Sequence, residues 1–159
     1  MDFLLAWSYF MKIEEEIKQS KFTSVHHKVA INLLYTASWL QDKNKIFFKP
    51  YDITNQQFNI LRILRGQHPY KLSGVEIKNR MLDKNSDVSR LLDRLIAKKL
   101  IFKSQCPNDK RAADVIISDS GLALLKEIDA HMDETDIAIF NLNKTEAAQL
   151  SDLLDKCRS

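Results

Sequence analysis

The stretch that decides the fold is Ser86-Asp-Val-Ser-Arg-Leu-Leu-Asp-Arg-Leu-Ile-Ala-Lys-Lys99. Val88, Leu91, Leu92, Leu95 and Ile96 fall at i, i+3, i+4, i+7 and i+8, the spacing of one buried helical stripe. The opposite face presents Ser86, Asp87, Ser89, Arg90, Asp93 and Arg94. Small hydroxyls near the helix start let the backbone come close to base edges, and an arginine at Arg90 can fork onto guanine or hold a phosphate. A polar helix face by itself is usually only solvated, so its neighbours carry the argument.

On the N-terminal side, Ser73-Gly-Val-Glu76 has the form of a capping box, with Leu72 and Ile77 as its hydrophobic staple, and opens a short helix to about Leu82. Thr54-Asn-Gln-Gln57 repeats the device, flanked by Ile53 and Phe58, for a helix to about Arg65. On the C-terminal side the period changes. Residues 100–104 and 113–118 are β-rich runs joined by the turn-forming, basic segment 105–112, which predicts a hairpin with a long tip. Within that tip Asp109 stands two residues before Arg111. Such a carboxylate can orient a guanidinium by a charge-assisted hydrogen bond, and the negative potential of a minor groove then favours the arginine. A solvated turn with a chance ion pair is the plainer alternative.

The order helix, helix, helix, hairpin is a winged helix-turn-helix. The fold class expected is therefore mainly α with a small β-hairpin wing (α+β). Apolar positions at Val29, Leu33, Leu34, Ala37 and Leu40 predict a long amphipathic helix over 26–48, preceded by a shorter one ending near Ser20. Two helices close the chain, roughly 119–140 and 144–157, the last opened by a third box at Asn143–Glu146. A monomer would struggle to bury these terminal helices, so they suggest a dimer interface. At 159 residues, one domain is expected over 1–159, with 1–48 and 119–159 as dimerisation helices around a 54–118 reading lobe.

Hydrophobic residues make up 45% and charged residues 28%, with three Gly and three Pro, a helix-rich globular composition. Net charge is +3, but it is unevenly spread. Residues 1–75 hold 10 Lys and Arg against 6 Asp and Glu, residues 76–111 hold 10 against 5, and residues 112–159 hold 4 against 10. A basic middle segment followed by an acidic one points to a localised anion-binding surface, because phosphate attraction follows clustered charge. The apolar opening 1–11 carries Asp2 where a signal peptide would be basic and is too short to span a bilayer, so no membrane partner and a cytoplasmic location are expected.

No Ser-His-Asp order, metal-ligand spacing or phosphate-cradling glycine loop occurs, so neither an enzyme, a cofactor nor a metal is expected. Cys106 and Cys157 are far apart. Cys106 lies near Lys103 and Lys110, which could activate it as an oxidant-sensing thiol, although an uninvolved exposed thiol is the favoured reading. The rival of another class is a winged-helix module that binds a protein and not DNA. It predicts a less basic face over 76–111 and no cost from removing Arg111.

The segments Thr54–Leu64, Glu76–Met81, Ser86–Leu95, Asp109–Arg111 and Ser118–Leu125 together resemble the MarR family of regulators, with the likeness running over residues 25–157. That resemblance implies a homodimer with interlocking terminal helices on double-stranded, pseudo-palindromic DNA, each recognition helix in a major groove and each wing in the flanking minor groove. It places Ser86, Asp87, Ser89 and Arg90 at bases or phosphates and Arg111 in the minor groove beside Asp109. Ser73 and Lys110 would hold backbone phosphates, and Arg94 would contact a phosphate or support the wing. Repression is the family's commoner mode. A small aromatic effector is also implied, for which Tyr35, Trp39, Phe47, Phe48, Tyr51 and Phe58 are candidate lining residues, with core packing as the favoured alternative. Lys99 departs from the pattern, standing where many members have glycine, which predicts a less sharp helix end. The extension before residue 25 is longer than usual.

Overall fold

The computed structural model describes residues 11–105 and 113–159. The chain divides into two compact units, residues 1–44 and 45–159.

The first unit holds α1 (Ile13–Glu16) and most of α2 (Val25–Phe48). The predicted first helix is cut to a single turn, because Lys18 adopts a left-handed conformation that a right-handed helix cannot continue. Two polar contacts join the pair: the Lys28 ammonium meets Glu14, and the Tyr35 hydroxyl donates to Glu16 Oε2 at 2.6 Å. The second bond pushes the Tyr35 phenol above its ordinary pKa, since the neutral form is the donor. Ser24 starts α2 by accepting the His27 N–H. The apolar stripe foreseen on α2 is present but open: Val29, Leu33 and Leu34 are 56%, 45% and 72% exposed.

The second unit continues with a 3-10 turn (Lys49–Tyr51), α3 (Asn55–Gln67), β1 (Leu72–Ser73), α4 (Gly74–Arg80), α5 (Val88–Ala97), β2 (Ile101–Gln105), β3 (Ala113–Ile117), α6 (Asp119–Phe140) and α7 (Lys144–Lys156). The boxes at Thr54, Ser73 and Asn143 all form, each side chain accepting from the backbone three residues on while the N3 side chain reaches back. The strands make one antiparallel sheet in the order β1-β3-β2, with Leu72 opposite Val115 and Ile101 opposite Ile117. Against its inner face pack Ile60, Leu61 and Leu64 of α3, Ile77 of α4, Leu92 and Leu95 of α5, and Leu125 and Ile128 of α6. Arg62 and Arg65 of α3 both reach Asp129 of α6, at 3.5 and 2.5 Å, tying the outer sides of that packing.

The arms β2 and β3 pair over five residues each, from Ile101–Ile117 to Gln105–Ala113. Among the described residues, no helix is long and apolar enough to cross a membrane.

Candidate nucleic-acid interface

The helix α5 is held from below and open above. Val88, Leu92 and Leu95 are buried in the core and Leu91 and Ile96 pack against it, so the helix cannot roll about its axis without pulling these side chains into water. Ser89, Asp93 and Arg94 stay exposed on the other side, and the Arg90 side chain is 81% exposed. Arg90 Nε pairs with Asp87 Oδ2 at 3.1 Å. A solvent-facing pair of this kind contributes about 0–1 kcal/mol, so it aims the guanidinium without holding it from a better partner.

The helix start differs from the expected Ser86. Asp87 is the N-cap, its side chain accepting the Arg90 N–H at 3.2 Å, and the helix begins at Val88. Ser86 therefore stands before the helix, half-buried, with its hydroxyl donating to Asp83 Oδ2 at 2.8 Å. The turn from α4 to α5 is docked on α3 by a contact that no local pattern signals: Asn59 Oδ1 accepts the Leu82 N–H at 3.0 Å. Arg80 likewise donates to Gln67 Oε1 at 2.6 Å.

Ser73 is engaged on all sides. Its hydroxyl donates to Glu76 Oε2 at 2.8 Å and accepts the Glu76 N–H at 3.3 Å, while its own N–H donates to the same carboxylate. The Ser73 backbone bond first, and its hydroxyl second, hold the Glu76 carboxyl below its ordinary pKa. A phosphate could draw on this hydroxyl only by displacing an ionised carboxylate. Asp109, Lys110 and Arg111, with Cys106, lie outside the described residues, while the β2–β3 ladder runs as far as the Gln105–Ala113 pair.

The six candidate effector-lining aromatics are divided between the two units. Phe48 and Phe58 are buried in the core with centroids 4.7 Å apart, and Phe47 and Tyr51 pack onto that cluster at 5.0 Å from Phe48 and 5.8 Å from Phe47 respectively. Tyr35 and Trp39 belong to the first unit, where Trp39 carries the Lys43 ammonium 5.7 Å from its ring centroid. Of the six, only Tyr51 lines the open cleft of about 640 Å³ described in the second unit, with Asp52, Lys98, Leu100, Ser120 and Leu124 among its other walls. There the Lys98 ammonium pairs with Asp52 Oδ2 at 2.8 Å. Among the described residues no cluster of His, Cys, Asp and Glu could hold a metal ion, and Cys157 is an exposed free thiol.

Three successive helices, α3, α4 and α5, the last with a polar face in solvent, followed by the β2–β3 hairpin of a three-stranded antiparallel sheet, define a winged helix-turn-helix protein. The family model described as MarR family matches residues 53–113. The HTH-type transcriptional regulator PecS of Dickeya dadantii is 27% identical over 136 residues, 83% of this chain and 81% of that protein. The multiple antibiotic resistance protein MarR of Salmonella typhimurium is 32% identical over 116 residues, 69% of this chain and 76% of the relative. A crystal structure of a mutant MarR from E. coli complexed with operator DNA superposes with a TM-score of 0.66 at 28% identity, covering 79% of this chain and 91% of that one. The chain belongs to the MarR family of transcriptional regulators.

Proposed function

We propose that this protein is a sequence-specific DNA-binding repressor that acts as a homodimer on a pseudo-palindromic operator in the cytoplasm. The observation that carries this reading is the α5 face: Ser89, Arg90 and Arg94 in solvent on a helix whose other side is locked in the core. The operator complex of the E. coli relative supports the same use of the fold. In this reading α5 enters the major groove, where Arg90 forks onto guanine or a phosphate, Asp87 aims it, and Ser86 and Ser89 approach bases. Arg94 and Lys110 hold phosphates, and Arg111, oriented by Asp109, enters the flanking minor groove. Ser73 serves first as the cap of α4. The helices of 1–48 and 119–159 form the two-fold contact, which separates half-sites by about one helical turn, 34–36 Å. A small aromatic effector releases the DNA, with the Tyr51 cleft as its seat.

Gel shifts on DNA from the protein's own upstream region test the reading. Arg90→Ala and Arg111→Ala should each weaken binding by about 1–3 kcal/mol, and affinity should fall steeply with salt as phosphate contacts release counterions. Full affinity in both variants, or a flat salt response, would overturn it and favour a protein partner.

A further inference from the structure

The turn leading into α5 carries a carboxylate that the proposed contacts leave aside. Asp83 Oδ2 accepts the Ser86 hydroxyl proton at 2.8 Å, and Asp83 Oδ1 accepts the Asn85 backbone N–H at 2.9 Å. These bonds, Ser86 first and Asn85 second, hold the Asp83 carboxyl below the ordinary aspartate range, so it is ionised at neutral pH. An ionised carboxylate can only accept, which fixes the direction of the Ser86 bond. A serine hydroxyl has one proton. Having given it to Asp83, Ser86 turns only lone pairs outward.

We propose that Asp83 is a positioning residue that makes Ser86 an acceptor-only reader, so that each half-site presents a major-groove amino group, adenine N6 or cytosine N4, at the base Ser86 meets. This rests on the proposed operator reading and adds a selection rule to it. Phosphate oxygens, guanine N7 and O6, and thymine O4 all accept, and Ser86 has no proton for any of them. Of the partners first open to Ser86, base or phosphate, the hydrogen bond to Asp83 leaves the base, and of the four bases it leaves two. Ser89 is the internal contrast. It is exposed and has no hydrogen bond through its hydroxyl among the described residues, so it can turn either way and discriminates less.

The amide Asp83→Asn inverts the polarity of the device. One carbonyl oxygen remains for the Asn85 N–H, and the amide NH2 then faces Ser86 and donates to its oxygen, which frees the hydroxyl proton to point outward. A donor at that place accepts guanine or thymine where the native protein refuses them.

The experiment is selection and sequencing of bound duplexes from a pool of fully randomised duplexes, with the full chain as wild type, Asp83→Asn and Ser86→Ala. The wild type should show one position per half-site restricted to adenine or cytosine. In Asp83→Asn, guanine and thymine should gain about fivefold at that position, the worth of one neutral hydrogen bond, with the rest of the motif unchanged. Ser86→Ala should level the same position. The proposal is overturned if no wild-type position has this restriction, or if either folded variant keeps it, as judged by its melting temperature. If Asp83→Asn does not fold, Ser86→Ala decides alone: a levelled position upholds the reader and a retained one removes it. Failure of the wild type to select any sequence would bring down the operator reading itself, a distinguishable result.

Discussion

Lys99 and Gly121 meet at the joint between the recognition helix and the wing, and each is held for a different reason. Lys99 has φ of 59°, and the bonds Leu100 N–H to Leu95 O and Lys99 N–H to Ile96 O close a Schellman motif around it. The helix end is as sharp as a glycine would make it, contrary to the expectation from sequence, and the lysine bears the left-handed strain. Lys99→Gly relieves about 1–2 kcal/mol of that strain but returns about 0.4–1 kcal/mol of unfolded-chain entropy. The net gain should be roughly 0.5–1 kcal/mol, read as a melting temperature raised by about 1–3 °C. Lys99→Ala, which keeps the Cβ, should show no such rise. Gly121 is held by space: a Cβ there would lie 2.3 Å from Leu100 O and 2.8 Å from Ile117 Cγ1. Its N–H donates to the Ser118 hydroxyl, which in turn donates to Lys99 O, so backbone cannot retreat without breaking the joint. Gly121→Ala should cost about 2–3 kcal/mol in denaturant unfolding, and a cost near zero would show that the joint yields.

Helix α4 shows at the scale of an element what was legible from the chain and what was not. Its capping box could be read because Ser73 and Glu76 are three residues apart and their bonds are local. The same locality made the box at Thr54 legible, with Gln57 buried and its Oε1 accepting the Thr54 N–H. The start of α5 lies two residues beyond the expected Ser86, because Asp87 caps the helix while Asp83 takes the Ser86 hydroxyl, and neither bond shows in the apolar period. The Asn59 bond to Leu82 spans 23 residues and has no sequence period to announce it. The box also titrates. Glu76 has its carboxyl depressed, so the folded chain binds that proton less readily than the unfolded one. Its stabilisation is complete above the ordinary glutamate value and is lost as pH falls through the depressed one. Gln can fill the same box without titrating. Glu76→Gln should therefore melt with a shallower decline between about pH 5 and pH 3 than the wild type, and parallel declines would remove Glu76 from the acid sensitivity.

The open apolar positions of the terminal helices pose the question at the scale of the whole molecule. Val29, Leu33 and Leu34 on α2 and Leu150 and Leu153 on α7 sit at helical spacing, and Leu153 is 60% exposed. Scattered apolar residues on a surface need no explanation, but rows of them at helical spacing on the two ends of a chain are what a partner helix covers. In the proposed reading a second copy of the chain covers these rows, as the two-fold geometry of a pseudo-palindrome would demand. Leu153→Glu puts a charge into that contact twice over. Because Leu153 lies outside the buried core, the chain should still fold, melting below the wild type by what the lost association contributed. Light scattering should then give twice the 18.5 kDa chain mass for the wild type and the single mass for the variant. Operator affinity should fall by about 10²–10⁴-fold, since a lone lobe loses the effective concentration that tethering two half-site contacts supplies. A variant that stays dimeric with full affinity would place the two-fold contact elsewhere on the chain, and a wild type that runs as a monomer would leave the paired half-sites without a physical basis.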